Sequence, residues 1–513
     1  MVGTGLACCL ARICDVFCAY IKARDGRGTV ATASQLRPLR KVSQPMSPQS
    51  LTPQSSPVPL SNPVLGVSTT IGVAGVLLMG VVSWVLLLIN RDLPVLGIIG
   101  ISLAAYVVLI FLSLRNAGGQ ERSVGVIAGL IGGATSIVFL GSLMVVQPET
   151  IEELASQNNQ FSVGGVALAL IVIVAMMAIG WISGAIQQGK NNYTAKDIDW
   201  RARFAWVVAL SYLPLIAVGG LVTSTESGLA VPDSVTTYGS IGILFPLSLM
   251  DETRIYMEHS HRIFGTFAGL VTIVLVARMI GAPARKLPRV MSVVLLLAVI
   301  AQGVMGALRV SEQSQGLASL HGVLAQLVFA LAIATGVACS RRWESVQPSD
   351  AAIDAGRSTR LMLMIASIGL LIQLVFGAMT RHLDSGHALM SHIGFSFVVV
   401  VLVAIAGAKC IKVGKIDREI KGGAGTIRIY GAVVHALVML QFTLGWGALA
   451  MTQSGDKGHP ELPTSSELAS AHGIRVGEAI MATSHHLTGA LLIATVAGAL
   501  VWSIRIASRP KNG

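Results

Sequence analysis

Residues 257–280 read MEHSHRIFGTFAGLVTIVLVARMI, a glutamate and two histidines at the head of a run that stays apolar up to Arg278. About 20 apolar residues suffice for a helix to cross a hydrocarbon core roughly 30 Å thick, so the stretch 259–277 is expected to span a membrane. Glu258 and His261 are three residues apart and therefore share one helix face. Taken singly, a histidine at a helix end is more often an interfacial or hydrogen-bonded residue than a ligand. Its meaning depends on the rest of the chain.

The rest of the chain has the same character. Of 513 residues 53% are hydrophobic and 12% charged, too apolar for a water-soluble protein of this size. Spans are expected at about 66–89, 95–114, 123–146, 164–186, 204–223, 259–277, 290–308, 317–338, 361–380, 389–408, 429–451 and 483–504. The net charge of +12 does not indicate nucleic-acid binding, because thirty of the 37 Lys and Arg fall in alternate loops and the two tails. That distribution is a positive-inside bias, which puts both termini on the cytoplasmic side of the cell membrane. Glu149, Glu152, Glu153, Glu226, Asp233, Asp251 and Glu461 collect on the opposite side.

The fold class is an all-α integral membrane protein. Residues 1–63, with Ser, Pro and Gln repeats and no clean signal peptide, are expected to form a disordered basic cytoplasmic tail, within which Met46 is an alternative start. Residues 64–190 make a four-helix membrane module of unassigned role, bounded by the polar segment from Gln187 to Arg203. All eleven histidines lie at residue 259 or later. In that part Gly220-Leu221-Val222-Thr223 resembles Gly377-Ala378-Met379-Thr380, and Gln302 with Gly306 resembles Gln441 with Gly445. The last eight helices are therefore expected to form two pseudo-repeated four-helix bundles, 200–340 and 357–507.

The even helices of that unit each carry a histidine near their outward start: His261, His321, His392 and His485. Each is followed four residues later by a small residue (Gly265, Ala325, Ser396 and Gly489), one turn deeper on the same face, which leaves room for a flat macrocycle. Haem iron takes two axial ligands, so two histidines per bundle make two haem sites. Zinc fits less well, because a tetrahedral site needs converging ligands and no small residue beneath each one. His387 is the runner-up to His392 and His486 to His485, while His382, His387, His459 and His472 are placed in outward loops and His435 in a helix core. Glu258 is either a reacting carboxylate or the ion-pair partner of Arg262. Arg309 and Arg381 either anchor haem propionates or, as the favoured single explanation, reach to headgroups.

The run Met257-Glu258-His259-Ser260-His261-Arg262 resembles the Glu-x-x-His-Arg signature of the haem A synthase family, which converts haem O to haem A for cytochrome oxidase. Gly219 to Thr223 with Glu226-Ser227-Gly228-Leu229 and Pro232-Asp233 resembles that family's first outward loop. Leu320 to Gln326, Gly377 to His382 and His485 with Gly489-Ala490 are similar to its later helices, so the resemblance covers about residues 200–507. It implies an oxidoreductase that oxidises one haem O methyl through a hydroxymethyl stage to a formyl group. It further implies His261 and His321 as ligands of the substrate haem, Glu258 as the catalytic carboxylate, and His392 and His485 as ligands of a resident haem b. A haem O synthase and an electron donor are the implied partners. Ser234 stands where many members carry tryptophan, and the outward cysteine pairs of some members are absent. Two other readings compete: a bis-histidine cytochrome b that carries electrons, and a many-helix transporter. All four histidines lie toward one face, against the first, and the helix middles are almost uniformly apolar, against the second.

Overall fold

The computed structural model describes residues 63–117, 120–157, 160–189, 198–281, 285–383, 385–416, 425–452, 466–468 and 471–508. The expected tail, 1–63, lies outside them except for Pro63, and so does His459. Twelve helices are long and apolar enough to cross a membrane, as the sequence predicts, and no strand forms among the described residues. They are α1 (Pro63–Ile89), α2 (Val95–Leu114), α3 (Glu121–Leu140), α4 (Val163–Gln187), α5 (Trp200–Ser224) and α6 (Thr253–Ile280), then α7 (Lys286–Ser311), α8 (Gln315–Ala338), α9 (Asp350–His382), α10 (Gly386–Ile416), α11 (Gly425–Thr452) and α12 (Val476–Ile506).

Several helices run longer than their apolar stretches. α9 begins at Asp350 rather than near 361, and α12 at Val476 rather than near 483. Polar residues are accepted wherever a helix projects beyond the hydrocarbon, so an apolar window finds the crossing and not the helix end. The candidate ligands consequently lie deeper than the first turn. His261 is the ninth residue of α6, and a rise of 1.5 Å per residue puts it about 12 Å from the helix start. His382 and His387 lie within α9 and α10, not in a loop.

Sequence-adjacent helices pack in closed rings. α5 to α8 form one four-helix ring and α9 to α12 another, joined chiefly where α8 lies along α12. The ends of α5 and α7 turn in the same way. Glu226 (φ 57°) and Gln313 (φ 46°) take left-handed conformations, and Ser227 N donates to Val222 O and Ser314 N to Arg309 O, which closes the last turn.

α1 to α4 pack mainly on one another. Gly125 and Gly180 face each other so closely that a Cβ on either would strike the other's carbonyl, and Gly129 and Gly184 repeat the contact against Met176 and Glu121. Small residues at such a crossing let two backbones approach where no hydrophobic force drives helices together. The module then packs against α6. Phe264 meets Trp84 edge-on at 6.1 Å and Phe139 at 5.4 Å between ring centres, and the Tyr256 hydroxyl donates to Trp84 O (3.1 Å). Arg91 lies 4.9 Å over the Tyr256 ring and donates to Met250 O, while Arg278 donates to Gly66 O and to Thr70 Oγ1. One face of α6 therefore serves the module and another carries Glu258 and His261.

Candidate functional site

The four predicted histidines come together as two pairs. The imidazoles of His261 and His321 lie 6.3 Å apart between ring centres with planes at 80°, and those of His392 and His485 lie 6.3 Å apart at 81°. A metal–imidazole bond of ~2.0 Å plus ~1.2 Å from nitrogen to ring centre, taken on both sides, spans ~6.4 Å. The separation within each pair is that of two imidazoles sharing one iron. Among the described residues no three His, Cys, Asp or Glu side chains converge.

Each ring rests on a glycine of the preceding helix. A Cβ at Gly219, Gly306, Gly377 or Gly445 would lie 3.0, 3.1, 2.9 or 3.1 Å from Cε1 of His261, His321, His392 or His485 respectively. Only a glycine lets an imidazole lie this close to the neighbouring backbone. The sequence repeat carried the signal for two of these, Gly306 and Gly445, through the glutamine four residues earlier. It misaligned the others. Gly219, not Gly220, is the counterpart of Gly377; Gly220 instead faces Thr483 and His486. The small residues after the histidines differ among themselves. Gly265 has only Leu215 Cδ1 nearby, at 3.8 Å from a would-be Cβ, whereas Gly489 packs on the Gln441 amide.

The facing carbonyls complete the seats. His392 Nδ1 donates to Gln373 O at 3.1 Å, which leaves its other nitrogen for a ligand. The carbonyls of Leu215, Gln302 and Gln441 stand beside His261, His321 and His485, outside hydrogen-bond geometry, and those three buried Nδ1 atoms have no partner.

Glu258 is buried beside the first pair, with its side chain 4% exposed. Both sequence readings of it hold geometrically: Arg262 Nε lies 3.2 Å from Oε1, and Arg309 Nη2 lies 3.5 Å from Oε2. Arg309 is thus turned inward onto Glu258 and does not reach to headgroups. Both arginines also bind the loop between α5 and α6, Arg262 through Thr236 O (2.6 Å) and Arg309 through Gly228 O (3.1 Å). In that loop Asp233 Oδ2 accepts from Thr236 Oγ1 and Gly239 N, at 2.8 and 2.6 Å. The Tyr238 hydroxyl donates to Ala230 O, and desolvation, with the nearby charges of Glu252 and Asp233, pushes its pKa up to about 12. It therefore stays a neutral donor at ordinary pH. Arg381 spans the bundles and donates to Thr223 O.

The remaining histidines are placed otherwise. The His486 ring is turned to the first bundle, 3.3 Å from Gln326 Nε2, and His387 is exposed. His435 is hydrogen-bonded within its helix, Nδ1 to Gly431 O at 2.8 Å, as a core residue should be. His259 is buried against Phe245, 5.3 Å between ring centres.

Residues 202–391 match the family model COX15-CtaA, described as cytochrome oxidase assembly protein. This stretch of the chain is similar to that family. The match takes in Glu258, His261 and His321 and ends one residue before His392. No curated protein and no solved structure matches the chain.

Proposed function

We propose that this cytochrome oxidase assembly protein is a haem A synthase, oxidising one methyl group of haem O to a formyl group. The observation that carries the reading is the buried Glu258 beside one of two equally spaced histidine pairs. His261 and His321 hold the substrate haem, and His392 and His485 hold a resident haem b. Bound haem b supplies one-electron redox chemistry.

The chain's own part is binding, orientation and charge. Two imidazoles seated on Gly219 and Gly306 fix the plane of the substrate, which is the main condition for presenting one methyl out of several. Glu258 Oε1 and Oε2 accept a proton from the reacting group or stabilise positive charge there, while Arg262 and Arg309 hold the carboxylate in place. The loop tied down by those arginines covers the carboxylate and keeps water from it. The loop charges support a cytoplasmic-membrane location with both termini in the cytoplasm. A haem O synthase is the source of substrate, and a separate electron donor or acceptor is required.

The test is to incubate purified protein with haem O and extract the pigments. Haem A or its hydroxymethyl precursor is expected from the native chain. Glu258→Gln is expected to keep both haems and form neither product. Intact haem b with no conversion by the native chain would make it an electron-carrying cytochrome b. Full turnover by the Glu258→Gln variant would remove the carboxylate from the mechanism.

A further inference from the structure

The connection between α5 and α6, residues 225–252, lies against Arg262 and Arg309, the two partners of Glu258. Connections of this length with little secondary structure are ordinarily among the loosest parts of a fold. This one is held from its far side by the first four helices. Gly141, at the end of α3, sits so close to Ile243 that a Cβ there would strike the Ile243 carbonyl. Ser248 N donates to Gln147 Oε1 (3.0 Å), and Ser248 Oγ donates to Pro148 O (2.7 Å). The Gln147 amide is itself fixed, because its Nε2 donates to Ser142 O and Val145 O at 2.8 Å each. Arg91, between α1 and α2, donates to Met250 O (2.7 Å) and to Asp251 O. Leu154 is buried in one apolar cluster with Val231, Phe245, Leu249 and Met250 of the connection. From that cluster the contacts run on to the carboxylate. Phe245 lies against His259 and stacks on Tyr238, 5.8 Å between ring centres, and Thr236, two residues before Tyr238, accepts the Arg262 hydrogen bond.

We infer that the module α1 to α4 is a brace for the reaction site: it fixes the connection over Glu258, and Gln147 is a positioning residue that acts on the carboxylate through Ser248, Phe245 and Arg262. The inference rests on the haem A synthase reading above. Arg262 and Arg309 hold the connection and are held by it, so they cannot fix its place alone; a separate packed body can. A reacting carboxylate is productive only when its place is held to a fraction of an ångström. The histidine ligands and their glycine seats stand on helices of the bundles, outside the braced connection. Loosening the brace should therefore lower turnover and leave haem binding as it was.

The experiment uses the full-length protein in detergent and reads hydrogen exchange of residues 228–251 together with haem O turnover. Gln147→Leu removes the acceptor for Ser248 N, and Gly141→Ala pushes Ile243 away. In both, exchange in the connection should rise roughly 2- to 10-fold. Turnover should show kcat about tenfold lower with KM within about twofold of the native value. Gly164→Ala, whose Cβ would come no nearer than 3.9 Å to Ser162 Oγ, should change none of these. Low-spin absorbance of the second bundle reports the intact fold; where Gln147→Leu lowers it, Ser248→Ala, which removes the bond to Pro148 O, takes its place. Native exchange in the variants would overturn the brace. Faster exchange with native kcat would overturn its part in the reaction. A native chain that converts no haem O would instead overturn the haem A synthase reading, and with it that part, while the exchange still decides the brace.

Discussion

Replacing Gly377 with alanine tests the glycine seat at a single atom. The added Cβ would stand 2.9 Å from Cε1 and 3.3 Å from Nδ1 of His392. Carbon atoms prefer about 3.5–4.0 Å, so the ring must withdraw by roughly 0.6–1.1 Å. It is not free to do so, because Gln373 holds both the His392 ring and its carbonyl. Overpacking of this kind costs about 1–3 kcal/mol. Appearing at the ligand, that is roughly 5- to 150-fold weaker haem binding by the second bundle. The helix itself should not suffer, since alanine is favoured over glycine in a helix interior by about 0.5–1 kcal/mol. Gly394→Ala is the control, because it lies two residues from His392 and its Cβ would meet nothing within 4 Å. The assay is haem titration followed by low-spin absorbance, in a His261→Ala background that silences the first bundle. Binding by Gly377→Ala within twofold of Gly394→Ala would refute the seat.

Arg309→Ala leaves Glu258 buried with Arg262 alone; removal of a buried partner costs about 3–5 kcal/mol when nothing remains, so a loss at or below the lower end is expected by denaturant unfolding in micelles. No loss would mean that the Arg309 contact contributes nothing. Phe264→Ala removes the ring between Trp84 and Phe139 and should cost about 3–5 kcal/mol, read as a lower unfolding temperature; an unchanged transition would deny that the first four helices are anchored through α6. Gln313→Gly relieves a left-handed residue after α7 and should stabilise by about 1 kcal/mol, whereas destabilisation would show that its side chain outweighs its backbone strain.

Much of this molecule was legible without coordinates. Apolar length marked twelve crossings, because the hydrocarbon core sets a minimum run that composition alone reveals. The restriction of histidine to the last eight helices and the two Gln-to-Gly spacings marked the repeat, since like sites need like residues at like depth. The family segment was readable from the Glu258 to Arg262 run, which lies inside the matched residues.

What a linear reading could not decide was which residues of one helix face which residues of another. Spacing along α6 gives the Glu258–Arg262 pair, because both are on one helix, but Arg309 reaches Glu258 only through the packing of α7 on α6. The same limit hid the seat of His261 on Gly219 rather than Gly220: a one-residue change of register turns a side chain about 100° around the helix, and only packing chooses. The sequence by itself determined how many helices cross and what chemistry each carries, because those properties are local. Tertiary structure alone decided that the expected pairs face each other at 6.3 Å, because that distance belongs to two helices at once.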